Sequence, residues 1–297
     1  MIVTQNTINA LFVAFKAVFR KAQTGTPTDW QKIATIVPSS TRSNTYAWLG
    51  QFPAFREWVG DRVLKDMAAH GYTIDNKKYE SSIVVSGTDI EDDQIGVYSP
   101  LIEEMGRAST AHPNELVFAL LKAGLTTKCY DGQNFFDNDH PVYPNSDATG
   151  DAVSVSNFQD GAGPAWYLLD VSRAIKPIIF QKRQDYDLKA MTRVDDESVF
   201  MRDEYRYGVD ARVNAGFGFW QFAYCSKAPL TVENYEAARA AMMDFKSDGG
   251  RPLGVVPGML LVPPVLEGKA RSLLVKDASG GNPWAGTAEP LVSTWLS

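Results

Sequence analysis

Ile8, Leu11, Phe12, Phe15 and Phe19 recur at helical spacing, which predicts an amphipathic helix capped by Asn6 or Thr7 and running to about Ala22. A helix with such a stripe needs cover, on its own body or on a neighbour. Gly25, Pro27 and the polar run from Pro38 to Asn44 then predict an irregular, extended segment. The aromatic stretch Phe52, Phe55 and Trp58 leads into an expected short helix ending near His70. Gly71 to Gly87 (GYTIDNKKYESSIVVSG) is rich in Tyr, Ile, Val and Thr, with turn-type residues at Asp75, Asn76 and Gly87, and reads as a two-stranded ribbon. A lone hairpin is marginal in water. Something is therefore expected to lie across it, and another chain is a candidate.

Ser99 suits an N-cap and Pro100 the first helical position, ahead of Leu101, Ile102, Met105, Ala108, Leu116, Ala119, Leu120 and Ala123. These predict a long helix ended by Gly124, nearly 40 Å for about 25 residues at roughly 1.5 Å each. Pro113 predicts a kink or break after Ala111 or His112. Farther on, Glu204 to Val213 alternates side-chain type like a strand. Thr231 starts a helix through Phe245, with Ala237, Ala238, Ala241 and Met242 on its packed side. Leu253 to Val256 and Met259 to Val262 read as short buried strands, and Val265 to Leu274 as a further helix. No period of about 20 to 50 residues repeats, which argues against a solenoid or propeller.

Composition narrows the functional classes. Over 297 residues, Lys and Arg total 29 against 35 Asp and Glu, a net charge of −6, the opposite of a basic nucleic-acid reader. No apolar stretch approaches the roughly 20 residues needed to cross a bilayer. Leu11 to Phe15 is short, is interrupted by Lys16 and has no basic region before it, so no signal peptide is expected and the chain is expected to be made in the cytosol. Cys129 and Cys225 are too few for a disulfide framework.

Catalytic signatures are missing from the sequence: there is no GxSxG, Walker A, HExxH or EF-hand loop, and no GxGxxG after a strand. Asp137, Asn138, Asp139 and His140, with Cys129 upstream, are the nearest thing to a metal site. A closed zinc site normally takes four Cys or His ligands, and this stretch offers one of each. A loop shaped by Asp137 and Asn138 side-chain turns is the expectation, with no metal and no cofactor. Cys225, between Tyr224 and Ser226, is expected to pack in the core rather than to act as a nucleophile. Asp89 to Asp93 lacks EF-hand spacing and reads as solvated charge ahead of a helix. Lys77 and Lys78 read as charges that keep an exposed edge soluble.

Three blocks carry a family resemblance. The first is Tyr72 to Glu80 (YTIDNKKYE) with Ile90 to Gly96 (IEDDQIG), Tyr98 to Pro100 (YSP) and Glu104 to Gly106 (EMG). The second is Lys176 to Arg183 (KPIIFQKR) through Tyr207 to Arg212 (YGVDAR) to Gly218 to Gln221 (GFWQ). The third is Leu253 to Pro257 (LGVVP) with Leu260 to Pro264 (LLVPP), Leu266, Glu267, Ala270 and Arg271. Together they cover most of the chain, which resembles the gpT family of major capsid proteins of Mu-like tailed bacteriophages.

The resemblance implies an α+β fold of the Hong Kong 97 type. Its parts would be an N-terminal arm (1–44), an E-loop (70–89), a P-domain (45–69 and 90–128) containing the spine helix, further P-domain strands and loops (129–228), and mainly A-domain (229–297). It implies inter-subunit contacts from the E-loop residues Tyr72, Ile74, Lys77, Lys78, Tyr79, Ile83 and Val85, and a spine helix built on Pro100, Leu101, Met105, Leu116 and Leu120. The implied partners are other copies in hexamers and pentamers, a portal, a separate scaffold or protease, and decoration proteins. Packaged double-stranded DNA would lie inside an icosahedral head without sequence-specific binding, and no membrane is involved. An acidic wall suits that task, because a basic lining would grip the polymer. Two other readings compete: a cellular nanocompartment shell of the same fold, and a cytosolic enzyme using Cys225, or Cys129 with His140.

Overall fold

The computed structural model describes residues 3–50, 52, 71–275 and 281–297. The short helix expected beyond Phe52, up to His70, lies outside the described residues. The strands in chain order are β1 (Ala34–Pro38), β2 (Ser43–Tyr46), β3 (Tyr72–Asp75), β4 (Lys77–Ser86), β5 (His140–Val142), β6 (Val153–Val155), β7 (Phe158–Gln159), β8 (Trp166–Leu169), β9 (Ile178–Met191), β10 (Glu204–Phe217), β11 (Ala223–Ser226), β12 (Met259–Val262) and β13 (Glu289–Val292). The α-helices are α1 (Gln5–Gly25), α2 (Trp30–Ile33), α3 (Gly87–Glu91), α4 (Ser99–Lys122), α5 (Glu197–Arg202), α6 (Val232–Met243) and α7 (Glu267–Leu274).

A four-stranded sheet runs in the order β1-β9-β10-β4. The alternation expected from Glu204 to Val213 is realised in β10, where Tyr205, Tyr207, Val209, Ala211 and Val213 are buried. Strands β9 and β10 each run 14 residues and pair antiparallel, so their hairpin reaches roughly 45 Å at about 3.3 Å per residue. Helix α5 sits at its tip.

Gly71 to Gly87 does not form a ribbon folded on itself. Strand β3 pairs with β2, from Ser43↔Asp75 to Tyr46↔Tyr72, and β4 pairs with β10 from Lys77↔Val213 to Ser86↔Glu204. Asn76 hands the chain from one sheet to the other instead of turning it. Its backbone N–H donates to Arg42 O at 2.9 Å, and its side-chain amide donates to Ser39 Oγ at 2.8 Å and Thr41 O at 2.9 Å. Both strands are paired inside their own chain, although β4 buries only Val85 and leaves its other side chains exposed or half-buried. The segment after α1 is likewise less irregular than expected, because Ala34–Pro38 joins the main sheet parallel to β9.

Helix α1 finds its cover on its own body. Thr4, rather than Asn6 or Thr7, provides the cap: Thr7 N–H donates to Thr4 Oγ1 at 3.2 Å and Thr4 N–H to Thr7 Oγ1 at 2.9 Å, a reciprocal pairing that satisfies two otherwise orphaned donors. Ile8, Leu11, Phe15 and Phe19 pack with Val85, Ile102, Met105, Leu188 and Tyr207.

Helix α4 has the length expected of the strut, but Pro113 does not break it. Both sides of the proline are held by tertiary contacts. Before it, Gly106 abuts Phe19 and Ala22 of α1. After it, Asn114 Oδ1 accepts the N–H groups of Asp29 (3.2 Å) and Trp30 (3.0 Å), tying the helix to the start of α2. The buried face is also rotated from the expected stripe: Ile102, Met105, Gly106, Ser109, Val117, Phe118 and Leu121 are inside, while Leu101 and Ala119 are exposed.

A second, five-stranded sheet runs β13-β12-β8-β11-β7. Strands β8, β11 and β12 are buried at every position. Helix α6 begins after a Thr231 cap as expected, but buries Tyr235, Ala238 and Met242 and leaves Ala237 exposed. Leu253 to Val256 is not a strand. Gly254 takes φ +62°, outside the extended region, and side chains replace the ladder: Arg173 donates to Leu253 O at 2.5 Å, and Asp170 Oδ2 accepts Val256 N–H at 3.0 Å.

Candidate assembly surfaces

Five of the seven residues expected to contact a neighbour are used by the fold itself. Ile74 and Val85 are buried, in the large core and under α1 respectively. Ile74 lies against Gly216, where a Cβ would sit 2.1 Å from Ile74 Cδ1. The Tyr72 hydroxyl accepts Phe217 N–H at 3.0 Å. Ile83 packs under α1, and Tyr79 stacks edge-on to His112 with ring centroids 4.3 Å apart. Lys77 and Lys78 remain exposed, Lys78 Nζ lying 3.9 Å from Asp210. Of the spine residues, Met105 is buried, Leu116 and Leu120 are half-buried, and Pro100 and Leu101 are exposed.

Two surfaces stand out, the first within the expected contact strip and the second not foreseen from the sequence. Strand β4 is an edge of the main sheet, with Val84 exposed among its outward positions. An edge strand offers unpaired backbone groups to another chain. The tip of the β9–β10 hairpin exposes three large apolar side chains, Val194 (72%), Phe200 (79%) and Met201 (68%). Acidic Asp195, Asp196 and Glu197 stand beside them. Single exposed apolar residues need no explanation, but a cluster at a projecting tip marks a contact surface. An apolar pair in a short helix reads as core in a sequence, so only their placement on the tip reveals them.

Of the polar residues considered for chemistry, Cys129, Cys225 and His140 are buried, Asp137 is half-buried, and Asn138 and Asp139 are exposed. Burial pushes the Cys225 thiol up to about 12. Cys129 is shifted further upward by burial and by the neighbouring Asp131 carboxylate. Thiols so shifted stay protonated and are poor nucleophiles. Asp137 shapes its loop as expected, accepting Asn138 N–H at 2.8 Å and Asn134 N–H at 3.2 Å. His112 Nδ1 meets the Tyr186 hydroxyl at 2.5 Å, joining α4 to β9, and burial lowers the pKa of this histidine.

Comparison with known proteins matches this architecture to shell proteins. The family model for the Mu-like prophage major head subunit gpT matches residues 8–296. The chain is 49% identical over 280 residues to the major capsid protein of Escherichia phage Mu, covering 93% of this chain and 92% of that one. It is equally identical, over 280 residues, to the Mu-like prophage FluMu major head subunit of Haemophilus influenzae, covering 93% of this chain and 91% of that one. Among solved structures, the procapsid of bacteriophage JBD30 superposes with a TM-score of 0.87 and 52% identity, over 99% of this chain and 100% of that one. The JBD30 capsid gives 0.75 and 40%, over the whole of both chains.

Proposed function

Because the chain belongs to the Mu-like gpT major head subunit family and is a major capsid protein of a tailed phage, we propose that it assembles through hexamers and pentamers into an icosahedral head around the packaged genome. The fold is α+β, of the Hong Kong 97 type. The observation that carries the reading is the match along nearly the whole chain, both to the family and to a phage procapsid subunit. It favours a phage head over a cellular compartment or a thiol enzyme, and the protonated, buried thiols agree with a structural role.

A shell subunit has to bind several neighbours while its body keeps one shape. In the proposed division of labour, the two cores hold the body. The hairpin tip around Phe200, the open edge of β4 and the exposed Lys77 and Lys78 meet neighbouring copies. The first partner is thus the chain itself. A portal, a separate scaffold or protease, and decoration proteins complete the proposed set, with DNA enclosed but not read. The greater likeness to the procapsid than to the capsid of the same phage leads us to assign this conformation to the immature lattice.

Electron microscopy of the purified protein, alone and co-expressed with the proteins encoded beside it, tests the proposal. Shells, tubes or rings of six and five subunits are the expected result. A monomer that persists at high concentration under every assembly condition would overturn it.

A further inference from the structure

The loop after α4 brings together Cys129, Asp131 and His140, whose sulfur, carboxylate and imidazole ligand atoms all lie within 4.8 Å of one another. Counting Cys and His along the chain misses this group, because its third member is an aspartate. Cys129 and His140 are buried and Asp131 is half-buried. Nothing in the shell-building role uses this arrangement.

The hydrogen bonds around His140 fix which atoms offer lone pairs. Asn157 is oriented without ambiguity, for its side-chain amide donates to Phe135 O at 2.8 Å and its Oδ1 accepts Asp137 N–H at 2.9 Å. Oδ1 is therefore the acceptor that faces His140 Nε2 at 3.2 Å, and Nε2 carries a proton. The other ring nitrogen, Nδ1, faces Asp131 Oδ2 at 2.7 Å. A bare lone pair there would oppose a carboxylate oxygen, so a proton lies between them at this distance, and a metal ion could replace it once the two atoms separate. Asp131 Oδ1 lies 3.1 Å from Cys129 Sγ, and the thiol proton fills that gap in the metal-free form.

From this geometry we propose that Cys129, Asp131 and His140 form a binding site for one zinc-type divalent cation, with Asn157 holding the imidazole from behind. The donor set of thiolate, imidazole and carboxylate is that of zinc rather than of magnesium or calcium. A hydrogen-bonded partner on the far ring nitrogen is the usual companion of a metal-bound histidine, and Trp220 fixes the ring plane by stacking on it at 4.0 Å and 10°.

Charge balance favours the exchange. With protons, the cluster holds a neutral thiol, a carboxylate and an imidazolium, which sum to zero. With metal, it holds a thiolate, a carboxylate, a neutral imidazole and a divalent cation, which also sum to zero. One cation enters and two protons leave. Zinc bonds of roughly 2.0–2.3 Å in a tetrahedron separate ligand atoms by about 3.3–3.5 Å. Nδ1 and Oδ2 would part from 2.7 Å by about 0.6 Å, and the ligand atoms that now lie up to 4.8 Å apart would close, for all three to reach one ion. Protein groups would supply three positions and solvent the fourth. Bound there, the ion would staple the loop after α4 to the start of β5.

The test uses the full chain, stripped with a chelator and titrated with Co2+ and with Zn2+. Expected results are one equivalent per chain, a cobalt–thiolate charge-transfer band displaced by Zn2+ but not by Mg2+, and release of two protons per ion. Cys129→Ser and His140→Gln should abolish the band, and Asp131→Asn should weaken Zn2+ binding by about tenfold or more. No thiolate band in the folded wild-type protein overturns the proposal, whatever the variants do. A band that persists in folded Cys129→Ser also overturns it, since the metal is then held elsewhere.

Discussion

The missing side chain of Gly106 makes room for the backbone of Phe19: a Cβ at Gly106 would lie 2.5 Å from the Phe19 carbonyl oxygen and 2.9 Å from Cβ of Ala22. Helices α1 and α4 are thus locked in backbone contact at one point, beside Ser109, whose hydroxyl accepts from Gln23 Nε2 at 3.1 Å. Relief can come only by moving whole helices. Gly106→Ala should therefore destabilise the protein by about 1–3 kcal/mol despite its better helix propensity, and Gly106→Val by more. Urea unfolding would show a lowered midpoint; an unchanged or raised midpoint in Gly106→Ala would refute the contact.

Asn157 is fully buried and joins three parts of the chain. Its amide donates to Phe135 O, and more weakly to Ala223 O and Trp220 O, while Oδ1 accepts Asp137 N–H. Asn157→Ala should cost about 2–4 kcal/mol, because groups left unpaired in the interior cost about 1–3 kcal/mol each. Asn157→Asp should cost at least as much, for it aims an oxygen at three carbonyls. Thermal unfolding of both variants checks the order.

Local patterns carried much of this fold, and non-local pairings account for the rest. The alternation in β10, the stripe of α1 and the Ser99-Pro100 start of α4 all follow from neighbours in sequence. The partner of β4 does not. Lys77 to Ser86 looks the same whether it pairs with Tyr72 to Asp75 or with a strand beyond residue 200, and the second proved to hold. The face of α4 was misjudged for the same reason, since nothing local says that α1 presses on Gly106. Pro113 obeys its helix-breaking rule only where the flanks are free, and Asn114 is not. Asp131 joined His140 through a loop whose course no periodicity reports, and Phe200 faces outward although its apolar character suggests the opposite.

The half-buried pair of His112 and Tyr186 predicts a pH dependence. Burial lowers the histidine pKa in the folded protein, whereas in the unfolded chain it stays near 6.5. Below about pH 6.5 the unfolded chain therefore takes up a proton that the folded one resists, and this stabilisation, complete above that pH, is lost as pH falls through the folded value. Wild type should lose more stability between about pH 7 and pH 5 than His112→Gln, by no more than about 1.4 kcal/mol per pH unit. Parallel profiles in urea unfolding would show that the site does not titrate as stated.

Both thiols are buried and shifted upward, so the thiolate fraction at neutral pH is negligible. A disulfide reagent should leave Cys129 and Cys225 untouched in the native protein over hours and modify both within minutes after denaturation. Rapid native modification of either one would revive a thiol chemistry. Cys225→Ala should leave assembly intact, since its side chain reaches no surface.

The hairpin tip gives the sharpest separation of folding from assembly. Phe200 is 79% exposed, so its removal takes little from the folded monomer, and substitution of exposed residues usually changes stability by less than about 0.5 kcal/mol. A buried aromatic at an interface, by contrast, can contribute about 2 kcal/mol or more to association. A shell repeats each contact many times, so a small loss per contact moves the assembly threshold far. Phe200→Ser should unfold at the wild-type temperature yet need a concentration about tenfold or more higher to form particles. Phe200→Asp, which adds charge beside Asp195, Asp196 and Glu197, should block particles altogether. Light scattering against concentration reads the threshold. Wild-type assembly by Phe200→Asp would show that the tip faces solvent in the shell and would leave the β4 edge and its lysines to make the contacts.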